Sequence, residues 1–181
     1  MKVLVTGTSK GIGKSIATKF LEEGHDVIGF DILKSSINHD NYTHYIQDIC
    51  EKLPDIEDID ILVNNAGIQE GEVIKVNLEG TINVTEKYIN PNIKSIVFIT
   101  STSATTGSEF PKYVASKGGV LAYMKNVALR ISKYKATANS ISPGGVITEL
   151  NSHILNDENL YKAVLDETLL DKWAEPEEIA D

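Results

Sequence analysis

Val3-Leu4-Val5-Thr6-Gly7-Thr8-Ser9-Lys10-Gly11-Ile12-Gly13 is the stretch that decides the fold of this chain. An apolar, strand-like run turns through three glycines and enters a stretch with helical spacing, residues 14–22. Glycines at such a turn make it tight, let backbone amides approach a pyrophosphate and let the helix pack close to the strand. The helix start then supplies orphan N–H groups and the positive end of a dipole. The related phosphate loop, Gly-x-x-x-x-Gly-Lys-Ser/Thr, does not fit: Gly13-Lys14-Ser15 resembles its tail, but the position five before Gly13 is Thr8. A glycine-rich turn that binds nothing is the plain alternative. Its place after the first strand of an alternating pattern favours a nucleotide site.

That pattern continues along the chain. Strand-like runs, most of them rich in Val and Ile, occupy residues 2–6, 26–30, 43–48, 60–64, 95–100 and 136–142, with helical spacing at 12–23, 72–89 and 113–134. In the last of these, Val114, Val120, Leu121, Met124, Ala128, Leu129 and Ile131 form one apolar stripe. Nearly continuous apolar strands alternating with helices predict an α/β fold, a Rossmann-type doubly wound parallel sheet in three α/β/α layers. No Pro/Gly/Ser-rich linker and no repeat divides the chain, so one domain is expected.

Composition narrows the class. The 181 residues carry 26 acids against 17 bases, a formal charge of −9, and a single cysteine, Cys50. One cysteine excludes an internal disulfide and a Cys-rich zinc site, and His25, His39, His44 and His153 show no ligand spacing, so no metal is expected. The acid excess disfavours nucleic-acid binding. No apolar run approaches the ~18 residues of a membrane span, and the first residues read as a strand rather than a signal peptide; a soluble cytoplasmic protein is the expectation. Residues 149–181 hold 10 acids against Lys162 and Lys172, which is almost all of the net charge. Within them, residues 160–169 are amphipathic, and Pro176-Glu177-Glu178 reads as a helix start close to the last residue, as if a C-terminal element were missing.

Two further features carry chemistry. Asp31 ends the second strand at about the distance from the glycines where an acid meets the adenosine ribose 2′-hydroxyl; a carboxylate there favours NAD and repels the 2′-phosphate of NADP, while Lys10 in the turn argues weakly for NADP. Tyr113 and Lys117 stand at i and i+4, on one helix face. A phenol titrates near about 10, and an adjacent ammonium stabilises its anion, so the pair can move a proton to or from an alcohol or carbonyl oxygen. Many such pairs only decorate a helix, but the preceding strand ends in Ser101-Thr102-Ser103, where a parallel sheet places its ligand crevice.

Taken in order, the glycine turn, Asn64-Asn65-Ala66-Gly67, Ser101, Tyr113-Val114-Ala115-Ser116-Lys117 and Pro143-Gly144 resemble the classical, single-domain short-chain dehydrogenase/reductases over essentially the whole chain. The resemblance implies cofactor contacts at Gly7, Ser9, Lys10, Gly11, Ile12, Gly13 and Asp31. It implies adenine contacts at Asp48 and Ile49, and a sheet-steadying, adenosine-side role for Asn64, Ala66 and Gly67. Asn77, Ser101, Tyr113 and Lys117 match the catalytic tetrad, with Tyr113 and Lys117 also touching the cofactor; Ser101 is preferred to Ser103 because it lies six before Gly107. Pro143, Gly144, Val146 and Thr148 match the segment that holds the nicotinamide carboxamide. By this resemblance the chain is expected to be an NAD(H)-dependent oxidoreductase interconverting a secondary alcohol and a ketone on a small molecule, acting as a homodimer or homotetramer.

The sequence also departs from that pattern. Nine residues separate Gly67 from Asn77, where the family inserts a longer loop and helix; the Ser101–Tyr113 spacing is one residue short; and the family runs on past residues 176–180 into a strand and helix. A nucleotide-binding sensor or scaffold is the alternative function, although the intact Tyr and Lys speak against it. An extended-type epimerase would need a larger C-terminal domain. Substrate identity should lie around 107–112 and in 146–169, and neither carries a recognisable specificity signal; residues 149–175 are expected to form a substrate-side flap.

Overall fold

A computed structural model describes every residue except 109 and 167. Strands β1 (Lys2–Thr6), β2 (Asp26–Asp31), β3 (Tyr42–Ile46), β4 (Ile61–Asn64), β5 (Ser95–Ile99) and β6 (Thr137–Ile141) pair in parallel in the order β3-β2-β1-β4-β5-β6. The helices are α1 (Gly11–Glu22), α2 (Thr81–Tyr88), α3 (Ser103–Thr106), α4 (Pro111–Ile131), α5 (Ser152–Leu155), α6 (Glu158–Asp166) and α7 (Pro176–Ala180). All six expected strands form, each within a residue or two of its expected bounds. Chain order reverses between β1 and β4, and the crevice above the carboxyl ends of these two strands is where such sheets take ligands.

Both faces of the sheet are buried, which is why the strands read as unbroken apolar runs. Val3 and Val5 face α1, packing with Ile16, Ala17 and Leu21, while Leu4 points the other way to Phe30, Leu62 and Phe98. Val84 and Tyr88 of α2 and Val120, Val127 and Ile131 of α4 cover that second face. The β2–β3 and β3–β4 connections hold no helix; Ile37 fills against the α1 face, and Ile49, Leu53 and Ile59 against the other.

The helical stretch expected over 72–89 is two windings. Ile74–Gly80 is π-helical and α2 follows directly. The wider turn lets Asn77 reach the backbone of Ile68 and brings Gly80 against Ile49, where a Cβ would lie 2.8 Å from two side-chain carbons. Helix α4 starts two residues before the expected 113, with Pro111 in its first turn, and residues 132–134 tighten into a 3₁₀ turn.

After β6 the chain leaves the sheet and returns. Val146 and Ala174 form a parallel bridge, with Ile147 N–H donating to Ala174 O at 2.9 Å and Ala174 N–H to Gly145 O at 3.0 Å, so residues 148–173 form an excursion closed at its base. Helix α6 begins earlier than the expected 160 because Asp157 accepts the Asn159 and Leu160 N–H groups, both at 3.0 Å. Helix α7 docks on α1: Ser15 Oγ donates to Glu177 at 2.9 Å, Lys19 pairs with Asp181 at 2.7 Å, and Ala180 joins the apolar cluster. Part of the C-terminal acidity is therefore paired. No helix among the described residues is long and apolar enough to cross a membrane.

Candidate active site

At the switch point the ends of β1 and β4 are stapled together. Thr6 Oγ1 accepts the N–H groups of Asn65 and Ala66, both at 3.0 Å, and Asn65 Nδ2 donates to Thr6 O at 2.9 Å and Gly7 O at 3.2 Å. Gly7 and Gly11 hold φ of +75° and +54°, the left-handed region. At Gly13 a Cβ would sit 2.1 Å from Gly7 O, so only glycine lets α1 meet the turn this closely. The first turn of α1 has no side-chain cap, which leaves its N–H groups to serve an anion. A cleft begins there between Ser9, Lys10, Gly11 and Lys14 on one side and Ile147 and Thr148 on the other, and runs on along α1 toward Glu22 and the acids of α7. The uncapped helix start and the glycine cradle fit the pyrophosphate of a dinucleotide.

Asp31 sits at the end of β2, its Oδ2 accepting Ser9 N–H and its Oδ1 accepting Leu33 N–H, both at 2.9 Å. Each oxygen keeps a further lone pair. Ser9 also donates its hydroxyl to Leu33 O at 3.2 Å, so both its groups serve the Asp31 loop. Lys10 is exposed at the N-cap of α1, and Ile12 packs into the α1 cluster. Asp48 is exposed and accepts Cys50 N–H at 2.8 Å, whereas the Ile49 side chain turns into the core. Asn64, 4% exposed, donates to Thr85 Oγ1 at 3.0 Å and so ties β4 to α2; Ala66 packs against the same core.

The expected tetrad gathers where β5, α4 and the π-helical turn meet. Tyr113 and Lys117 are both buried, with Lys117 Nζ donating to Ile99 O at 2.9 Å and lying 5.8 Å from the Tyr113 ring centre. Asn77 is tied on both sides of its amide: Oδ1 accepts Ile68 N–H at 2.8 Å, while Nδ2 donates to Ile68 O at 2.9 Å and Ser116 Oγ at 3.1 Å. Ser116 in turn donates to Tyr113 O at 2.7 Å. Gly67 closes the group, since a Cβ there would lie 3.2 Å from Asn77 Oδ1 and 3.4 Å from Lys117 Nζ. The two serines divide by direction: Ser103 Oγ donates to Ser101 Oγ at 2.8 Å and Ser103 N–H also points to it at 3.2 Å. Ser101 thus accepts twice and keeps its own O–H to give.

The 143–148 segment closes the far side. Pro143 O accepts Thr102 N–H at 3.0 Å, Gly144 lies beside Thr102, Val146 is buried at the bridge to Ala174, and Thr148 faces Gly11 across the cleft. Asn151 Nδ2 donates to Val146 O at 2.8 Å and its Oδ1 accepts from Gln69 Nε2 at 3.4 Å, linking the excursion to the β4 loop. Of the stretches expected to shape the substrate site, Glu109 and Glu167 lie outside the described residues. Among those described, no group of three or more His, Cys, Asp or Glu residues could hold a metal ion.

The family profile described as Enoyl-(Acyl carrier protein) reductase matches residues 38–181. The chain belongs to the short-chain dehydrogenase/reductases. This short-chain dehydrogenase/reductase is 30% identical to the 3-oxoacyl-(acyl-carrier-protein) reductase of Buchnera aphidicola subsp. Acyrthosiphon pisum, over 98% of this chain and 85% of that protein. A solved 4-hydroxyisoleucine dehydrogenase complexed with NADH superposes with a TM-score of 0.83 at 28% identity, covering 99% of this chain and 87% of the other. A protein from Agrobacterium tumefaciens assigned as a 2-deoxy-D-gluconate 3-dehydrogenase, with bound NADP, superposes with a TM-score of 0.88 at 25% identity, covering 99% and 85%. The short-chain dehydrogenase/reductase described here is an NAD(P)-dependent oxidoreductase of alcohol and carbonyl groups.

Sequence reasoning missed Thr6, Asn65 and the part of Ser103, all buried or half-buried beside this site. The Asn-Asn doublet was a signal for the staple. Nothing local distinguishes a serine that faces the crevice from one that orients it.

Proposed function

We propose that this enzyme interconverts a secondary alcohol and a ketone with NAD(H), with Tyr113 as the general acid and base. The observation that supports it is the burial of Tyr113 and Lys117 on one face of α4, with Lys117 Nζ held on Ile99 O at the carboxyl end of β5, two residues before the buried Ser101. When bound, the nicotinamide supplies or accepts the hydride. The amides of the glycine turn and the start of α1 would hold the pyrophosphate, Asp31 the adenosine ribose, and Gly144, Val146 and Thr148 the nicotinamide end. In the reducing direction Tyr113 donates its phenolic proton to the substrate oxygen. The Lys117 ammonium, held by Ile99 O, stabilises the phenolate left behind. Ser101 donates its free O–H to the same oxygen and orients it, with Ser103 fixing its rotamer. The Asn77 amide is consumed by Ile68 and Ser116, so its share in proton delivery falls to its backbone carbonyl.

Preference for NAD rests on Asp31. Its two oxygens accept Ser9 and Leu33 N–H groups, which fix the carboxylate, and the lone pairs that remain would accept ribose hydroxyls and repel a 2′-phosphate. Isothermal titration with NADH and NADPH, followed by a screen of ketones and secondary alcohols, tests both parts. At least tenfold tighter NADH binding and steady NADH consumption with some ketone are expected. Tenfold preference for NADPH overturns the cofactor assignment. Tight binding without turnover of any carbonyl or alcohol points instead to a sensor.

A further inference from the structure

The β2–β3 connection, residues 32–41, carries no helix, and Ile32 and Leu33 are 67% and 47% exposed beside Asp31. Ile37 anchors its second half in the α1-side core, while the Ile32–Leu33 end beside Asp31 is held by hydrogen bonds. In mid-β2, Gly29 leaves a gap that a Cβ would fill at 2.0 Å from Tyr42 Oη and 2.4 Å from Thr8 Oγ1. The tyrosine hydroxyl occupies that gap, 2.8 Å from Thr8 Oγ1 and 3.0 Å from His44 Nδ1, and His44 Nε2 reaches Leu33 O at 2.9 Å. Proton accounting gives a single direction for the neutral imidazole. Leu33 O can only accept, so Nε2 carries the hydrogen; Nδ1 then accepts from Tyr42 O–H, and Tyr42 accepts from Thr8 O–H. The ring closes through Asp31, which accepts Leu33 N–H and the N–H of Ser9, the neighbour of Thr8. Leu33 N–H is thereby held by Asp31, and Leu33 O by His44 and, at 3.2 Å, by the Ser9 hydroxyl.

We propose that Tyr42 and His44, on the edge strand, are positioning residues for cofactor selection: with Thr8 they lock the Asp31–Leu33 turn in the form that reads ribose hydroxyls. This inference rests on the proposed preference for NAD. A carboxylate that cannot swing away, in a turn that cannot open, excludes a 2′-phosphate more sharply than a free aspartate does. The relay therefore acts on discrimination more than on affinity.

The test is direct binding of NADH and NADPH by isothermal titration to wild type, His44→Phe and the conservative His44→Gln, with thermal unfolding measured on each. The ratio of the NADPH to the NADH dissociation constant is expected to fall about tenfold in His44→Phe, the effect of one lost hydrogen bond of the stronger kind, and to recover in part in His44→Gln. Should His44→Phe fail to fold, Tyr42→Phe, which keeps the ring and loses only the relay hydroxyl, is expected to lower the same ratio. A purely structural role would lower the unfolding temperature and weaken both dinucleotides by one factor. That outcome, with wild type preferring NADH, overturns this inference alone; wild-type preference for NADPH overturns the NAD reading and the inference together.

Discussion

Ser101 and Ser103 are both buried, 6% and 1% exposed, and only hydrogen-bond direction separates their roles. Ser103 spends its hydroxyl on Ser101, so Ser103→Ala should leave Ser101 free to rotate. Turnover is expected to fall by roughly tenfold with cofactor binding unchanged, consistent with one lost neutral hydrogen bond; a wild-type rate in steady-state kinetics would remove Ser103 from the site. Tyr113→Phe removes the hydroxyl proposed as the proton donor. Its turnover should drop by about 10²–10⁴, the range for a positioned acid or base, while NADH titrates as before. The glycine turn and the Tyr113/Lys117 pair were legible in the sequence because each forms within one or two turns of chain. The division of labour between the serines was not, since it depends on rotamers set by packing.

Among the elements, α2 and α4 are joined on their outer side by Glu86, which accepts from Tyr123 at 2.6 Å and from Arg130 at 2.5 and 2.7 Å. The Arg130 guanidinium holds the Glu86 carboxyl below the ordinary glutamate range, against the upward push of burial. A depressed carboxylate stabilises the fold above its unfolded pKa of about 4.3 and loses that contribution as pH falls through the lowered folded value. Glu86→Gln should therefore cost about 0.5–1 kcal/mol near neutral pH, discounted because both partners are more than a third exposed. Urea unfolding of variant and wild type should converge as the pH drops below about 4; a gap that persists in acid would show that packing, and not charge, was lost. The helical period marked both helices, but it could not mark the π-helical winding over Ile74–Gly80, because one extra residue in a turn leaves the apolar spacing nearly intact.

Over the whole molecule, the excursion 148–173 depends on its base. Trp173 is 4% exposed and lies over Gly145, where a Cβ would come within 2.4 Å of the indole, and Tyr161 meets it edge-on at 5.4 Å. Its Nε1 is buried with no hydrogen-bond partner among the described residues, an unfavourable burial. Trp173→Phe should thus be nearly neutral. Trp173→Ala should release the excursion, seen as faster limited proteolysis within 148–173 than in the sheet; equal protection in the two variants would contradict this. The acids of that segment also bear on substrate. Glu177, Glu178 and Asp181 have partners on Ser15, Lys172 and Lys19, but the excursion keeps its own negative charge, which is expected to repel an acidic carrier protein. Small neutral ketones should be reduced faster than their carrier-bound counterparts, and equal rates at low ionic strength would dismiss the effect.

By itself the sequence determined the strands, the glycine-rich turn, the acid after β2 and the Tyr113/Lys117 pair, because backbone propensity, glycine conformation and i, i+4 spacing are local properties. Tertiary structure alone decided the Thr6–Asn65 staple, the direction of the Ser103–Ser101 bond, the Thr8–Tyr42–His44 relay and the docking of the acidic end on α1. The Ser103–Ser101 bond is local in the chain but its direction is set by packing, and the others join residues 34 to 162 apart whose contact exists only after the sheet has formed.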